Sequence, residues 1–161
     1  MKKCMLTGSF DPFTKGHLDM LKRATKIFDK VYVAILVNPE KKQMFCVDDR
    51  IKIIRRAIEG MEGSIFVISY AGMTIDLARE LQVDCLIRGI RSESDLDYEI
   101  DMSDYNLNEG GVDTVCFLSN NLSFISSTEV RRRIRENEDI SGLVPDNTVD
   151  LIKRLYEEGV R

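Results

Sequence analysis

The chain has 161 residues, of which 43% are hydrophobic and 31% charged, and this balance is typical of an ordinary folded domain. The composition excludes a disordered chain, and no apolar run is long enough to cross a bilayer, so no membrane partner is predicted. The formal net charge of −4 argues against a nucleic-acid-binding protein, for which a basic face is expected.

The first residues, Met1 to Gly8, begin with two lysines but contain too short an apolar stretch for a signal peptide. We therefore expect a cytoplasmic protein. The cysteines are scattered, without a C-x-x-C pair or metal-ligand spacing, so no protein-bound metal is predicted from them. Three of them (Cys4, Cys85 and Cys116) lie in apolar runs, which favours buried, unreactive thiols.

Short apolar runs alternate with amphipathic stretches, and no linker or repeat divides the chain, so we expect one domain over residues 1–161. The predicted strands are Cys4–Thr7, Val31–Val37, Ile65–Ser69, Cys85–Ile87 and Val112–Leu118. The predicted helices are Leu18–Phe28, Asp49–Ile58, Thr74–Leu81, Leu96–Leu107, Glu129–Glu136 and Val149–Glu157. Strands rich in Val and Ile, separated by helices, predict an α/β fold with a doubly wound, five-stranded parallel sheet. Ligands bind beyond the carboxyl ends of such strands.

The first predicted strand ends in a glycine-containing turn, Gly8 to Pro12, and a helix begins near Gly16. Unpaired N–H groups and the helix dipole make such a helix start a natural anion site. The loop matches neither G-x-x-x-x-G-K-[ST] nor G-x-G-x-x-G. His17, the only histidine, falls in the first helical turn, where a donating imidazole is unfavourable unless an anion lies opposite. A solvent-facing or packing histidine is the alternative.

A second candidate loop, Ile125 to Arg131, follows the fifth predicted strand and opens a helix. Ser126 and Glu129 fit a capping box, which explains the segment without any ligand. The same helix start offers hydroxyl and N–H groups to a phosphate. Both interpretations remain open at the level of the sequence.

Basic residues also follow two other predicted strands. Lys41 and Lys42 lie after the second strand, where a lysine pair is more often solvated surface than a ligand site. Arg88 and Arg91 follow the fourth strand, and an arginine next to a buried strand needs a partner. That partner is either a bound phosphate or a carboxylate farther along the chain, at Asp95, Asp97 or Glu99.

These residues carry a family resemblance. The turn Gly8 to Pro12 with Thr14-Lys15-Gly16-His17 resembles the (H/T)-x-G-H signature of the nucleotidylyltransferase superfamily, and Ile125 to Arg131 resembles its I-S-S-T-x-x-R motif. Four further segments make the chain similar, nearly end to end, to phosphopantetheine adenylyltransferases: Lys41-Lys42-x-Met44-Phe45, Leu86 to Arg91, Asp95-x-x-Tyr98-Glu99 and Ser123 to Ser127. The alternatives are a superfamily member specific for nicotinate mononucleotide or glycerol phosphate, and a non-catalytic nucleotide-binding regulator.

The resemblance implies a Rossmann-like nucleotidylyltransferase fold and transfer of an adenylyl group from ATP to 4′-phosphopantetheine, giving dephospho-coenzyme A and pyrophosphate. It implies Mg²⁺ carried by ATP with few protein ligands, a homohexamer, and coenzyme A as a feedback inhibitor. Two positions depart from the family pattern, because Ser9 replaces the usual threonine and Leu122 replaces a frequent aromatic residue.

The resemblance also implies which residues form the site. The catalytic residues are implied to be His17, Lys41 and Arg91. The acceptor-binding residues are implied to be Ser9, Lys41, Thr74 and Arg88. The nucleotide-binding residues are implied to be Ser9, Phe10, His17, Gly89, Ile90, Arg91, Glu99, Leu122, Ser123, Phe124, Ile125, Ser126, Ser127 and Thr128.

Overall fold

The computed structural model describes residues 1–118 and 122–159. Five parallel strands form one sheet: β1 Lys3–Gly8, β2 Lys30–Leu36, β3 Ser64–Tyr70, β4 Cys85–Ile90 and β5 Asp113–Leu118. The α-helices of the described residues are α1 Lys15–Ala24, α2 Val47–Ala57, α3 Thr74–Leu81, α4 Glu93–Gly110, α5 Ser127–Arg135 and α6 Val149–Gly159. A short 3₁₀ turn, Asp146–Thr148, precedes α6.

The predicted α/β fold with a five-stranded parallel sheet is confirmed, and α3 has the predicted bounds. Helix α1 starts earlier than predicted because the Thr14 side chain caps its N-terminus. It also ends earlier, since the predicted last turn, residues 25–28, lies outside the helix. Helix α4 is longer than predicted at both ends and stops where Gly111 takes a left-handed conformation with φ 66°.

The sheet is covered on both faces, as a doubly wound fold requires. Buried side chains of α1, α2, α5 and α6 pack on one face, and Leu21, Ile54 and Val130 are fully buried there. Helix α3 packs on the other face, where Ile75 and Ala78 contact the second core cluster. None of the helices in residues 1–118 and 122–159 is long and apolar enough to cross a membrane.

The cysteines expected to be buried are only partly so. Cys4 and Cys85 are buried on neighbouring strands, and burial raises the pKa of the Cys4 thiol to about 12 and that of Cys85 to about 11. These thiols are therefore unreactive, as expected. Cys116 is only half-buried and Cys46 is exposed.

The strand order β3-β2-β1-β4-β5 places the topological switch point between β1 and β4. Pairing of these two strands ends at Leu6 and Ile87, whereas β4 stays paired with β5 as far as Ile90. A crevice therefore opens at the carboxyl ends of the two central strands, where ligands of such folds bind. The loop before α1 lies at one side of this crevice.

Helix α1 is anchored by Leu21, which is fully buried about one turn after His17. We expect Leu21→Ala to lower the free energy of unfolding by about 2–5 kcal/mol, because it leaves a cavity between α1 and the sheet. Lys22→Ala on the exposed side of the same helix is the matched control and should change stability by less than about 0.5 kcal/mol. Urea denaturation followed by circular dichroism measures both, and equal midpoints for the two variants would contradict the packing described here.

Candidate active site

The loop between β1 and α1 is held from three directions. The buried carboxylate of Asp11 accepts hydrogen bonds from the backbone N–H groups of Met44 (2.7 Å) and Phe45 (2.8 Å), which tie it to the segment before α2. The Lys15 N–H donates to the carbonyl of Leu143 at 2.9 Å. The loop therefore has a defined shape even though it lies at the surface of the sheet.

The third support comes from the far end of the sequence. The Ser127 hydroxyl donates to the carbonyl of Pro12 at 2.9 Å, and Arg131 donates from Nη1 to the carbonyl of Asp11 at 2.7 Å. The two candidate loops, far apart in sequence, thus contact each other directly. The starts of α1 and α5 consequently face one crevice.

His17 is fixed by the cap of α1. The Thr14 N–H donates to Nδ1 of His17 at 3.0 Å, while the Thr14 hydroxyl accepts from the His17 N–H. Because Nδ1 accepts a hydrogen bond, the proton of the neutral ring lies on Nε2. The rings of Phe10 and Phe13 pack against the imidazole at centroid distances of 5.0 and 5.3 Å. The ring therefore has one available polar group, the Nε2–H donor.

The charge state of His17 follows from its surroundings. Burial, reinforced by the positive charges of Arg91 and Arg88, lowers its pKa from 6.5 to about 4. The imidazole is thus neutral at physiological pH and acts as a capping acceptor at the helix start. This differs from the expectation that an imidazole here requires an anion opposite, because the helix N-terminus stabilises an acceptor.

The start of α5 has half of the predicted capping box. The Ser126 hydroxyl accepts from the Glu129 N–H at 3.1 Å, as expected. The Glu129 carboxylate does not complete the box, because Arg132 and Arg133 hold it at 2.8–3.0 Å. These ion pairs lower the pKa of Glu129 to about 2.

Arg91 follows β4 as predicted, whereas Arg88 lies within it because the strand extends to Ile90, and both arginines pair with carboxylates of α4. Arg88 binds Glu99 in a bidentate manner at 2.7 and 2.9 Å and donates from Nη1 to the carbonyl of Thr7 at 3.2 Å. Arg91 contacts Asp95 at 3.4 Å through Nε and reaches the carbonyl of Ile125 at 3.5 Å. The structural salt bridges considered for these arginines are therefore present, and both arginines also line the crevice.

The crevice is a cavity of about 360 Å³. Its polar lining combines two helix starts, the neutral imidazole and three arginines, namely Arg88, Arg91 and Arg131. A set of N–H, hydroxyl and guanidinium donors of this kind suits an extended polyanion such as a nucleotide polyphosphate.

A smaller cavity of about 100 Å³ adjoins the first, and the two share Thr7, Arg88 and Glu99. It lies between one face of the sheet, the start of α3 and the middle of α4. Its remaining lining mixes apolar residues with hydroxyl and amide groups: Leu36, Thr74, Leu86, Tyr98, Met102, Ser103, Asn106 and Thr114. The combination suits an elongated, mostly apolar molecule that carries amides.

Comparison with known proteins agrees with this geometry. Residues 5–133 match the cytidylyltransferase-like family. A phosphopantetheine adenylyltransferase of Porphyromonas gingivalis is 43% identical over 152 residues, covering 92% of this chain and 99% of that protein. Another, from Flavobacterium psychrophilum, is 42% identical over 147 residues, covering 91% and 97%. The chain belongs to the phosphopantetheine adenylyltransferase family.

The fold extends beyond this family. A nicotinic acid mononucleotide adenylyltransferase of Plasmodium falciparum, solved in complex with NaAD, superimposes with a TM-score of 0.70 at 20% identity and full coverage of both chains. This likeness identifies the nucleotidylyltransferase fold expected from the sequence. It says nothing about the acceptor of a phosphopantetheine adenylyltransferase.

Most residues that the resemblance assigned to the nucleotide are brought together by the fold. Those that line the larger cavity are Ser9, Phe10, His17, Gly89, Arg91, Glu99, Ile125, Ser126, Ser127 and Thr128. Four others are adjacent in sequence but are not among the lining residues: Ile90, Leu122, Ser123 and Phe124. Leu122 packs against the core, and Phe124 is 67% exposed.

The residues assigned to the acceptor are divided between several places. Ser9 and Arg88 line the larger cavity, and Thr74 lines the smaller one together with Arg88. Lys41 is exposed in the loop between β2 and α2 and lines neither cavity. Its assignment as a catalytic and acceptor-binding residue stays a prediction.

Several residues that shape the site were not among the sequence assignments. Asp11, Thr14 and Arg131 belong to the two quoted motifs, so their positions there were the available signal. Asn106, buried at 6% exposure, lies in a stretch of α4 that has no motif. Only the packing of α4 beside β4 and β5 reveals that it faces a cavity.

The single histidine allows a direct test of the site electrostatics, since its ring resonances need no assignment. We expect the imidazole Cε1–H resonance of the ligand-free protein to stay unchanged from about pH 8 to 5.5, because the folded pKa is about 4. Stability should fall as the pH drops from 6.5 toward 4, because the unfolded chain then binds a proton that the folded chain excludes. Proton NMR measures the titration, and a midpoint near 6.5 would show that the ring is not held as described.

Proposed function

We propose that this chain transfers the adenylyl group of MgATP to 4′-phosphopantetheine, releasing pyrophosphate and forming dephospho-coenzyme A. The observation that carries the proposal is the cavity formed by two helix starts and a neutral histidine, which adjoins a second cavity lined by apolar, amide and hydroxyl groups. Relatives at 42–43% identity that carry the name phosphopantetheine adenylyltransferase support the same acceptor.

The chemistry needs no general base. The attacking atom is an oxygen of a phosphate monoester, which is already largely ionised at neutral pH because its second pKa is about 6. The obstacle is the repulsion between two anions and the charge that develops on the α-phosphate. Fixed donors and precise positioning overcome such barriers.

His17 is proposed to donate its Nε2–H to an oxygen of the reacting phosphate. The Thr14 N–H holds the tautomer that this role requires, so no proton has to move before reaction. Arg91 is proposed to neutralise charge on the same phosphates. Lys41 is proposed to approach from the loop before α2, which the Asp11 carboxylate ties to the phosphate loop through Met44 and Phe45.

Mg²⁺ is proposed to enter with ATP as part of the substrate and to reduce the charge of its phosphates. Within residues 1–118 and 122–159 there is no group of three or more His, Cys, Asp or Glu that could hold a metal. The acidic side chains that line the cavity, Asp95 and Glu99, are both paired with arginines. The protein donors therefore fit the phosphates rather than the metal.

The smaller cavity is proposed to hold the pantetheine arm. This arm is a chain of methylene groups and two amides, which matches a lining of Leu36, Met102 and Asn106. Arg88, shared by both cavities, would lie between the arm and the phosphate. The acceptor phosphate would then lie beside Arg88, where the two cavities adjoin.

Three broader proposals follow from the family. Coenzyme A contains the same arm and an adenine nucleotide, so it is proposed to inhibit by occupying both cavities.

A homohexamer is proposed, and the exposed apolar residues of α4, including Leu96, Ile100 and Leu107, support self-association. A cytoplasmic location is proposed as for other biosynthetic enzymes. Sedimentation velocity measures the oligomeric state.

The assignment of His17 gives a kinetic prediction. We expect His17→Ala to lower kcat about 100- to 1000-fold while changing the KM values for ATP and acceptor by less than about tenfold, because a transition-state donor is lost. Acceptor-dependent release of pyrophosphate measures this loss. Nicotinate mononucleotide and glycerol phosphate, tested as acceptors with the wild type, should give no pyrophosphate.

The control for this experiment is His17→Gln, whose amide can still accept the Thr14 N–H and thus retain the cap of α1. His17→Ala, which lacks this acceptor, should unfold at a lower temperature than His17→Gln if the cap contributes to stability. A His17→Ala protein with wild-type kcat would remove His17 from the mechanism. Release of pyrophosphate with one of the other acceptors would overturn the choice of substrate.

The arm cavity gives a separate prediction. We expect Asn106→Leu to raise the KM for 4′-phosphopantetheine about tenfold without changing the KM for ATP, because one hydrogen bond to the arm is lost. Asn108→Leu, an exposed position on the same helix, is the matched control. Equal KM values for the two variants would show that the arm binds elsewhere.

A further inference from the structure

Arg50 is a buried charge with incomplete pairing. Its side chain, on α2, is 2% exposed and donates from Nη1 to the carbonyl of Ser9 at 2.8 Å. Its Nε is buried without a hydrogen-bond partner. Burying a guanidinium in this way costs free energy, and replacing such a charge by an apolar side chain is often neutral or stabilising. Stability alone therefore does not account for an arginine here.

The neighbouring carboxylate does not neutralise Arg50 by direct contact. Asp11 is the acidic group that favours its charged form, yet both oxygens of Asp11 accept backbone N–H groups from Met44 and Phe45. Among the ion pairs of the described residues none includes Arg50. The contact of its guanidinium with the Ser9 carbonyl is consequently the specific feature of its environment.

The Ser9 carbonyl and the Phe10 N–H belong to one peptide group, so the contact with Arg50 also determines where the Phe10 N–H points. In a trans peptide the C=O of one residue and the N–H of the next point in opposite directions, and the cis bond of this loop lies elsewhere, at Asp11–Pro12. The Ser9 carbonyl faces Arg50, which does not line the larger cavity, whereas Ser9 and Phe10 do. The Phe10 N–H therefore faces the cavity side.

The backbone of Phe10 indicates that this orientation is imposed. Phe10 has φ 48°, a left-handed conformation that is unfavourable for a bulky residue and that occurs mostly where function requires it. Its ring is buried against the neighbouring position Gly8, where an added Cβ would lie 3.2 Å from the ring. The buried ring and the held carbonyl together fix the peptide.

We propose that Arg50 is a positioning residue that holds the Ser9 carbonyl and thereby directs the Phe10 N–H into the phosphate cavity. The inference rests on the anion site of the proposed function. Arg50 acts only through the peptide, since it has no contact with the cavity. A purely structural role would instead affect folding and leave the affinity of the folded protein unchanged.

The test uses the full chain, with inorganic pyrophosphate as the probe. Arg50→Met removes the donor and the charge but keeps the apolar stem, and Arg50→Lys keeps the charge but is one bond too short to reach the Ser9 carbonyl. Arg56→Met is the matched control, because Arg56 lies on the same helix, is 49% exposed and pairs only weakly with Glu59 at 3.6 Å. Calorimetry measures affinity, ¹⁵N–¹H NMR measures the Phe10 amide, and thermal denaturation measures folding.

We expect pyrophosphate to shift the Phe10 amide resonance in the wild type and in Arg56→Met. In Arg50→Met the affinity should fall about 10- to 100-fold, as for loss of a hydrogen bond to a charged group, and the Phe10 shift should disappear. Arg50→Lys should lose about tenfold in affinity with an unchanged melting temperature. The kcat/KM for adenylyl transfer should fall about 100-fold in Arg50→Met.

Wild-type affinity in folded Arg50→Met or Arg50→Lys, or a Phe10 amide that does not respond to pyrophosphate in the wild type, would overturn the proposal. If Arg50→Met does not fold, Arg50→Lys and the wild-type titration decide the question. A wild type that binds pyrophosphate through Phe10 but adenylates no acceptor would refute the proposed function and leave the role of Arg50 intact.

Discussion

The site depends on the contact between the two loops that begin α1 and α5. Two carbonyl groups of the first loop, at Asp11 and Pro12, are bound by Arg131 and Ser127 of the second. Residues on both sides of this contact, among them Thr14, Gly16, Ser126 and Ser127, line one cavity. The side chains that join the loops therefore bring the starts of α1 and α5 to the same cavity.

A hydrogen bond determines the tautomer of His17, and the surrounding groups then determine its charge. The Thr14 N–H donates to Nδ1, and the aromatic rings of Phe10 and Phe13 pack against the imidazole. Next to several arginines, the neutral imidazole of His17 has a lower free energy than the protonated, positively charged form. When a polyanion enters, its field opposes that of Arg88 and Arg91, so the pKa of His17 should rise toward its ordinary value. The ring can thus strengthen its hydrogen bond as negative charge accumulates.

The sequence was sufficient for the sheet and for most of the cavity lining, for identifiable reasons. Val- and Ile-rich strands are a local signal, and they predicted the five-stranded sheet correctly. The two helix-start motifs pointed to His17 and to the segment Ile125 to Thr128, which the fold brings to one cavity. Helix bounds were less well predicted, because a side-chain cap such as Thr14 overrides the apolar pattern. The strand order could not be predicted, since it depends on contacts between distant segments. Asn106 was missed for the same reason, as its position has meaning only beside β4 and β5.

The two arginines that pair with carboxylates of α4, Arg88 with Glu99 and Arg91 with Asp95, use their N–H donors differently. Arg88 gives three of its five N–H donors to protein acceptors, two to Glu99 and one to the Thr7 carbonyl, so its orientation is set by the protein. Glu99 raises the pKa of Arg88 against the effect of burial, which keeps the charge in place. Such a residue contributes a fixed positive field, whereas Arg91, more exposed and held more loosely by Asp95, can turn toward a phosphate. The two arginines that looked equivalent in the sequence therefore divide into one that is fixed in orientation and one that adapts. The salt bridges to α4 thus hold Arg88 tightly and Arg91 more loosely at the same edge of the sheet.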